Sequence, residues 1–236
     1  MIEGEEGLKE LIQEIRCCFK CWDKFQDLDE ELRTLIRELY NEGPWFFPPY
    51  NNVKGFFGTE GVVFICKIPS TGRGTFPDPN VKMFYDLIDK HGLENAHITD
   101  LVKCRKLTRL TDEEWENMLN NCFDFLVKEL AILMLRGGEL ENLKPVLLVP
   151  VSNEVYKTLR GRKTRLIEGI TNELVKRMGL KDKNELRNVV NEKVKMYRGY
   201  IIHYSPKRRP SRSSLEKRLD KDIRDVKKHA KDINVI

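Results

Sequence analysis

No run of about 18 apolar residues occurs anywhere in the 236-residue chain, so a membrane-spanning helix is excluded. The opening stretch Met1 to Glu6 is acidic rather than cationic and apolar, and reads as no secretory signal. Internal repeats and low-complexity tracts are missing, which excludes solenoid and propeller arrays. Hydrophobic residues still make up 40% of the chain, enough for a packed core, so wholesale disorder is excluded. The length suits one domain with additions. An intracellular protein without membrane contact is expected, in which the six cysteines serve as ligands or buried thiols rather than disulfides.

A strong charge of one sign is also lacking: 42 Lys and Arg face 37 Asp and Glu, a net of +5. The excess is local. Residues 206–236 hold 11 cations and 5 anions, leaving 31 against 32 in the rest of the chain. Such a tail suits a polyanion-binding element, and equally a solvated helix face.

Four short apolar runs read as strands: Val62–Cys66, Ala96–Leu101, Val146–Val151 and Gly199–His203. Two are continuous and β-rich, as in strands buried on both faces. Between them lie helical patterns. Val81, Phe84, Tyr85 and Ile88 form one stripe, ended by Gly92. Thr111 to Glu114 is a capping box that starts a helix through Trp115, Cys122, Phe125 and Leu133, stopped at Gly137-Gly138. A third stretch runs from about Thr164 to Met178. Strands alternating with helices predict an α/β fold on a mainly parallel sheet. Two helices are expected before the first strand, over 5–16 and 27–41. A Pro- and aromatic-rich loop follows from Gly43 to Tyr50, too apolar for a linker. Leu215, Leu219, Ile223, Val226 and Ala230 recur at helical spacing and predict a tail helix that docks one face.

Ligands of open parallel sheets bind beyond the carboxyl ends of the strands. There the first strand runs into Lys67-Ile68-Pro69-Ser70 and a glycine-containing loop to Phe76. The second ends at Asp100, followed by Lys103, Cys104 and Arg105. The fourth ends at His203, followed by Tyr204 and a run of cations. A carboxylate, a histidine, an aromatic and nearby cations suit a small anion or a nucleotide base. Singly, Asp100 is also a possible cap or turn residue, His203 a structural histidine and Phe76 ordinary core. Their convergence makes the site.

Cys18 and Cys21 form a C-x2-C pair, with Cys104 after the second strand and Cys122 on the next helix. One such pair and two distant cysteines can build a four-thiolate site for zinc or for an iron–sulfur cluster, and spacing does not choose between them. Cys17 competes with Cys18, and four unrelated buried thiols are the bland alternative. Cys66, on a buried strand, reads as packing.

The order C-x2-C, strand, Pro-containing loop, Phe76, Ile98-Thr99-Asp100-Leu101-Val102-Lys103-Cys104-Arg105, Cys122 with Phe125-Leu126, Lys144-Pro145 before a strand, and a strand ending in His203 resembles the uracil-DNA glycosylase superfamily. The match is best with its iron–sulfur branch, family 4, with family 5 near it. It covers about residues 8–225, with an insertion near 22–58. The resemblance implies a three-layer α/β/α sandwich on a four-stranded parallel sheet. It makes 1–236 a single domain: N-terminal helices, cluster pair and insertion in 1–60, the α/β core in 61–205, and a basic loop and helix in 206–236. It implies a [4Fe–4S] cluster on Cys18, Cys21, Cys104 and Cys122, with structural zinc as the alternative. It also implies a monomer that acts on DNA in the cytoplasm, at the nucleoid, extruding a damaged or deaminated base into a pocket. Phe76 would stack on that base, and Asp100 and His203 would contact it as the candidate catalytic residues. Arg105, Tyr204, Lys207, Arg208, Arg209 and Arg212 would touch DNA. That position beside the pocket mouth favours phosphate contact for Lys207 to Arg212. The outer face of 215–231, with its interspersed acids, keeps the solvated reading.

Three departures stand out. The first motif of family 4 reads Gly-Glu-Ala-Pro-Gly, whereas Cys66-Lys67-Ile68-Pro69-Ser70 stands here, with a cation for the acid and no water-activating aspartate. A lysine with a depressed pKa could attack the sugar carbon instead. Asp100 replaces an Asn whose amide matches the carbonyl and N–H of uracil. An ionised Asp only accepts, so a base edge with two donors, or a catalytic role for the carboxylate, is expected. Finally, His203-Tyr204-Ser205-Pro206 replaces the usual His-Pro.

Overall fold

The computed structural model describes residues 4–21, 28–29, 31–35, 43–69, 76–105, 110–137, 142–180, 183–201 and 211–236. In chain order the elements are α1 (Glu5–Arg16), β1 (Gly43–Pro44), β2 (Glu60–Cys66), α2 (Pro79–Lys90), β3 (Ala96–Asp100), β4 (Cys104–Arg105) and α3 (Asp112–Met134). There follow β5 (Val146–Pro150), α4 (Asn153–Gly161), α5 (Lys163–Met178), α6 (Asn184–Lys193), β6 (Val194–Met196) and α7 (Arg212–Asp232).

Four strands form one sheet in the order β3-β2-β5-β6, every neighbouring pair parallel. The chain is thus an α/β protein, as the alternating pattern predicts. β2 and β5 hold the middle because their apolar runs can be buried on both faces, and Val62 to Ile65 and Val146 to Val149 are almost wholly shielded. Alternate residues of β2 enter two separate hydrophobic clusters. Val63 and Ile65 join Leu148, Leu8 of α1, Leu126 of α3 and Ile170 of α5. Val62 and Phe64 join Ile98, Leu147, Phe84 of α2 and Leu219, Ile223 and Val226 of α7. This period of two is what the strand pleat imposes.

The helix ends follow their local chemistry. Asp78 caps α2 by accepting from the N–H groups of Asn80 and Val81, and both bonds of the Thr111–Glu114 capping box start α3. The five apolar tail residues are all buried along α7. Two helices, α4 and α6, are additional to the predicted set. Of the predicted 27–41 helix, residues 31–35 are helical, and much of the rest lies outside the described residues.

The fourth strand needs correction. Of the expected Gly199–His203, residues 199–201 are not the paired segment and 202–203 lie outside the described residues: β6 is Val194–Met196, against Val146–Leu148. A bend at Arg198-Gly199 interrupts the ladder. Tyr197 N–H still donates to Leu148 O (2.9 Å) and Ile201 N–H to Pro150 O (3.0 Å), so the chain follows β5 to its end. The apolar run at 199–201 packs there without forming a regular strand.

The aromatic loop is folded back onto the sheet. β1 pairs antiparallel with β4, Gly43 opposite Arg105 and Pro44 opposite Cys104, and Trp45 N–H donates to Lys103 O (3.0 Å). Gly55 closes the loop at φ 60°, a left-handed conformation, where a Cβ would meet Phe47 O at 2.4 Å, so only glycine fits. Among the described residues no helix is long and apolar enough to cross a membrane.

Candidate functional site

At the carboxyl edge of the sheet, Cys66 at the end of β2 and Asp100 at the end of β3 are register partners. Strand parity sends Asp100 to the same side as Ile98, toward α2 and the aromatic loop. The side chain is 3% exposed, and neither carboxyl oxygen has a hydrogen-bond partner among the described residues. Burial pushes Asp100 up to about 8; Lys103 opposes that shift and Glu129 adds to it. The shift favours the undissociated acid, which both donates and accepts hydrogen bonds, and a proton affinity near the working pH also suits a general base. Burial, with Asp100 beside it, likewise pushes the Cys66 thiol well up. Burial, with Cys66 and Asp100 nearby, pushes up the Tyr85 phenol.

An aromatic group covers this face. Phe76 is half-buried and meets Tyr85 (5.7 Å between centroids), Trp45 (5.9 Å) and Tyr50 (6.1 Å). Trp45 packs edge-on against Phe47 at 5.1 Å, and the Tyr85 hydroxyl donates to Pro48 O at 2.8 Å. Trp45, Tyr50 and Tyr85 were not singled out by sequence reasoning as site residues. Their signal was the apolar character of the 43–50 loop, which marks a packing segment without saying on what.

The opposite face carries a buried polar network. Lys103 and Glu129 form an ion pair at 2.7 Å with side chains 1% and 0% exposed. The Lys103 ammonium also donates to Thr99 Oγ1 (2.6 Å) and to the Asp100 carbonyl (2.5 Å). His97 Nε2 lies 3.4 Å from Glu129 Oε2, and its ring packs on Phe56 at 4.8 Å. Burial opposes ionisation of Glu129, but Lys103 and His97 outweigh it and hold the carboxyl below its ordinary value. Lys103 thus spends its donors on backbone, Thr99 and Glu129. This network also went unnoticed in sequence, since only strand parity separates Thr99 from Asp100.

Beside it lie the cysteines. The Cys122 thiol hydrogen-bonds with those of Cys104 and Cys21; the Cys104 contact, reinforced by burial, pushes it up to about 12 while Cys21 opposes. Lys103 N–H donates to Cys122 Sγ (3.4 Å) and the Asn121 amide to Cys21 Sγ (3.4 Å). Cys18 and Cys21 both pack against the cluster that contains Cys104 and Cys122, whereas Cys17 is exposed. Among the described residues no group of three or more His, Cys, Asp or Glu side chains is already arranged to hold a metal ion. The donor set nonetheless fits a soft metal: thiols, with Cys122 next to both Cys104 and Cys21, in apolar surroundings.

Lys67 turns away from Asp100. Its ammonium pairs with Glu154 at 2.7 Å and sits 4.6 Å from the Trp115 ring centroid, on the side of α3 and α4. Ile68 packs against the cluster around α1 and α3, and Pro69 is buried. Arg105 is half-buried in β4, opposite Gly43. Arg212 is exposed on the first turn of α7. Ser70, His203, Tyr204, Lys207, Arg208 and Arg209 lie outside the described residues. The edge thus brings together Asp100, Phe76 and an aromatic wall on one face, and Cys21, Cys104 and Cys122 beneath the turn that follows β3. No protein-family model, no curated protein and no solved structure matches the chain.

Proposed function

We propose that this chain is a DNA glycosylase-like protein of base-excision repair, which extrudes a damaged or deaminated base, uracil or an altered one, and hydrolyses its N-glycosidic bond. One observation carries the reading: a buried carboxyl without hydrogen-bond partners among the described residues lies at the carboxyl edge of a parallel sheet, where such sheets bind ligands, near Tyr85, on which Phe76 packs. On this reading Phe76 would stack on, and Asp100 would hydrogen-bond with, a flat heteroaromatic ring. His203 is assigned the base oxygen, and Lys207, Arg208, Arg209 and Arg212 the phosphates, on the sequence resemblance.

The reading extends to a three-layer α/β/α sandwich, supported by the two hydrophobic clusters fed by alternate residues of β2. It extends also to a [4Fe–4S] cluster on Cys18, Cys21, Cys104 and Cys122, with structural zinc as the alternative. Contacts among three of these thiols support such a centre, which would tie α1, the turn after β3 and α3 together. The protein would act as a monomer on DNA in the cytoplasm, at the nucleoid.

A second reading, a DNA-binding iron–sulfur protein with weak or no turnover, is favoured by Lys67. The first-motif cation is held by Glu154 and Trp115 where the family has an acid, so it brings no negative charge to the sugar. Duplexes bearing uracil, hypoxanthine, xanthine or a mismatch, incubated with the protein and then cleaved with alkali, separate the two. Strand cleavage at one of these bases is expected. Salt-sensitive binding without cleavage favours the second reading, and neither binding nor cleavage overturns both.

A further inference from the structure

Residues 157–165 hold five cations, Lys157, Arg160, Arg162, Lys163 and Arg165, and no acid, although the 1–205 stretch as a whole carries 31 cations against 32 anions. They lie where α4 ends and α5 begins. Only Arg162 separates the two helices, and the chain passes with little break: Arg162 N–H donates to Thr158 O (3.0 Å) and Leu166 N–H to Arg162 O (2.9 Å). Val155, Leu159 and Leu166 are buried, which leaves the charged positions on the outer face.

The five cations are of two kinds. Arg162 and Arg165 are docked on α3. Arg162 meets Glu116 and Asn120 (both 2.6 Å), Arg165 reaches Asn120 (3.1 Å) and Asp124 (3.7 Å), and both guanidinium groups lie over the Phe123 ring. Lys157, Arg160 and Lys163 are exposed and, among the described residues, pair with no carboxylate. The acids that flank the stretch are already engaged, Glu154 by Lys67 and Glu168 by Lys183.

This arrangement runs against what stabilises helices. α5 has no acid in its first turn and no side-chain cap, and carries Lys163 and Arg165 there, at the positive end of the helix dipole. Arg160 and Lys163 stand three residues apart, where like charges repel. Gly161 between them is exposed, with no atom within 4 Å of where a Cβ would stand, so nothing overhangs the patch. Cations kept together against such repulsion suit a surface that meets a polyanion. The corner also lies on the edge of the candidate site. Ser152, just past β5, caps α4. Glu154 pairs with Lys67, just past β2, and the Lys67 ammonium lies on Trp115, next to the Glu116 that holds Arg162.

Resting on the DNA-binding reading above, we infer that the α4–α5 corner is a second nucleic-acid surface, on which Lys157, Arg160 and Lys163 contact backbone phosphates while Arg162 and Arg165 hold the corner against α3. Such contacts fix register and orientation without reading sequence. They add to the tail cations and do not depend on which base, if any, is extruded.

The test is binding rather than turnover. The full-length protein is titrated with an undamaged duplex and with a uracil-containing one across about 50–200 mM salt. Wild type is expected to bind both, log affinity falling linearly with log salt. Lys157→Ala, Arg160→Ala and Lys163→Ala combined should make that slope shallower by about 2 to 3 and weaken both duplexes by one common factor. A control removes the same charge from the outer face of α7, by Lys217→Ala, Lys221→Ala and Arg224→Ala combined, and should keep the wild-type slope. All six side chains are exposed, and circular dichroism checks that both variants fold. A wild-type slope in the corner variant overturns the inference and leaves the DNA-binding reading standing. An equal fall in the control overturns it also, because net charge alone then sets the slope. A shallower slope in the corner variant without excision of any base supports the inference and moves the function to the binding protein. Wild type that binds neither duplex, whether or not it binds vesicles of anionic phospholipid, overturns the inference and that reading together.

Discussion

A carboxyl, a lysine, a glutamate and a histidine meet within a few residues of β3, and their fates differ because a strand alternates its faces. Thr99 and Lys103 turn toward Glu129, where opposite charges justify burial, whereas Asp100 turns to an aromatic face where neither carboxyl oxygen is hydrogen-bonded among the described residues. The proton affinity of Asp100 is raised on folding, from the ordinary 3.8 to about 8. Its contribution to stability is thus fully present below pH 3.8 and is lost as pH rises through about 8. Asp100→Asn, which has no charge to bury, should melt close to wild type at the acid end. It should gain on wild type up to about pH 8, with a constant difference beyond. Thermal unfolding of both proteins across that range checks this, and parallel curves would refute a buried neutral acid.

At the scale of elements, the proposed metal centre would join segments far apart in sequence: the turn after α1, β4 and the middle of α3. Such a staple would contribute most where intervening chain is long, and metal binding of this kind would be coupled to folding. Cys104→Ala and Cys122→Ala should each lose bound metal and lower the melting temperature together. Cys66→Ala, on the other face, should leave the metal in place. Metal analysis of the purified protein, with the absorption near 400 nm expected of iron–sulfur proteins, separates iron from zinc. A colourless, metal-free wild type as stable as its variants would end the cluster assignment. The aromatic loop is a second staple, without covalent bonds: β1 on β4, Trp45 on Lys103 and the Gly55 turn lay it against the site.

For the molecule as a whole, the basic tail divides in two. α7 docks an apolar face on α2 and is tied by Asp220 to Lys90 (2.6 Å) and His91, and by Lys227 to the His91 carbonyl. The cleft it shares with residues 197–200 is lined by Asp222, Asp225 and Asp232 as well as Arg198 and Lys228, a mixed surface that does not invite phosphate. On the proposed DNA-binding reading, the phosphate contacts of the tail would then fall to Lys207, Arg208 and Arg209, ahead of the exposed Arg212. Each phosphate contact contributes about 0.9 to the slope of log affinity against log salt on duplex DNA. Replacing these three residues by Ala should therefore lower that slope by about 2 to 3, with little effect on the choice of base. A slope unchanged by the triple substitution would return the tail to a solvated surface.

Much of the fold was legible because it rests on local patterns. The continuous runs of β2 and β5, the Thr111 capping box and the five-residue stripe of α7 carry their structures in sequence spacing alone. The short helices α4 and α6, which bury only Val155 with Leu159 and Leu186 with Val190, stand outside the expected set. The fourth strand was misplaced because Gly199 to Ile201 has the composition of a strand but follows a bend. The cysteine neighbourhood, too, was foreshadowed by spacing and order. What only the tertiary structure decided is the state of Asp100. An aspartate in a sequence is an anion by default. Whether it stays one depends on which groups from β2, α2, α3 and the 43–50 loop surround it, and those are brought together only by the pairing of strands and the folding of a distant loop.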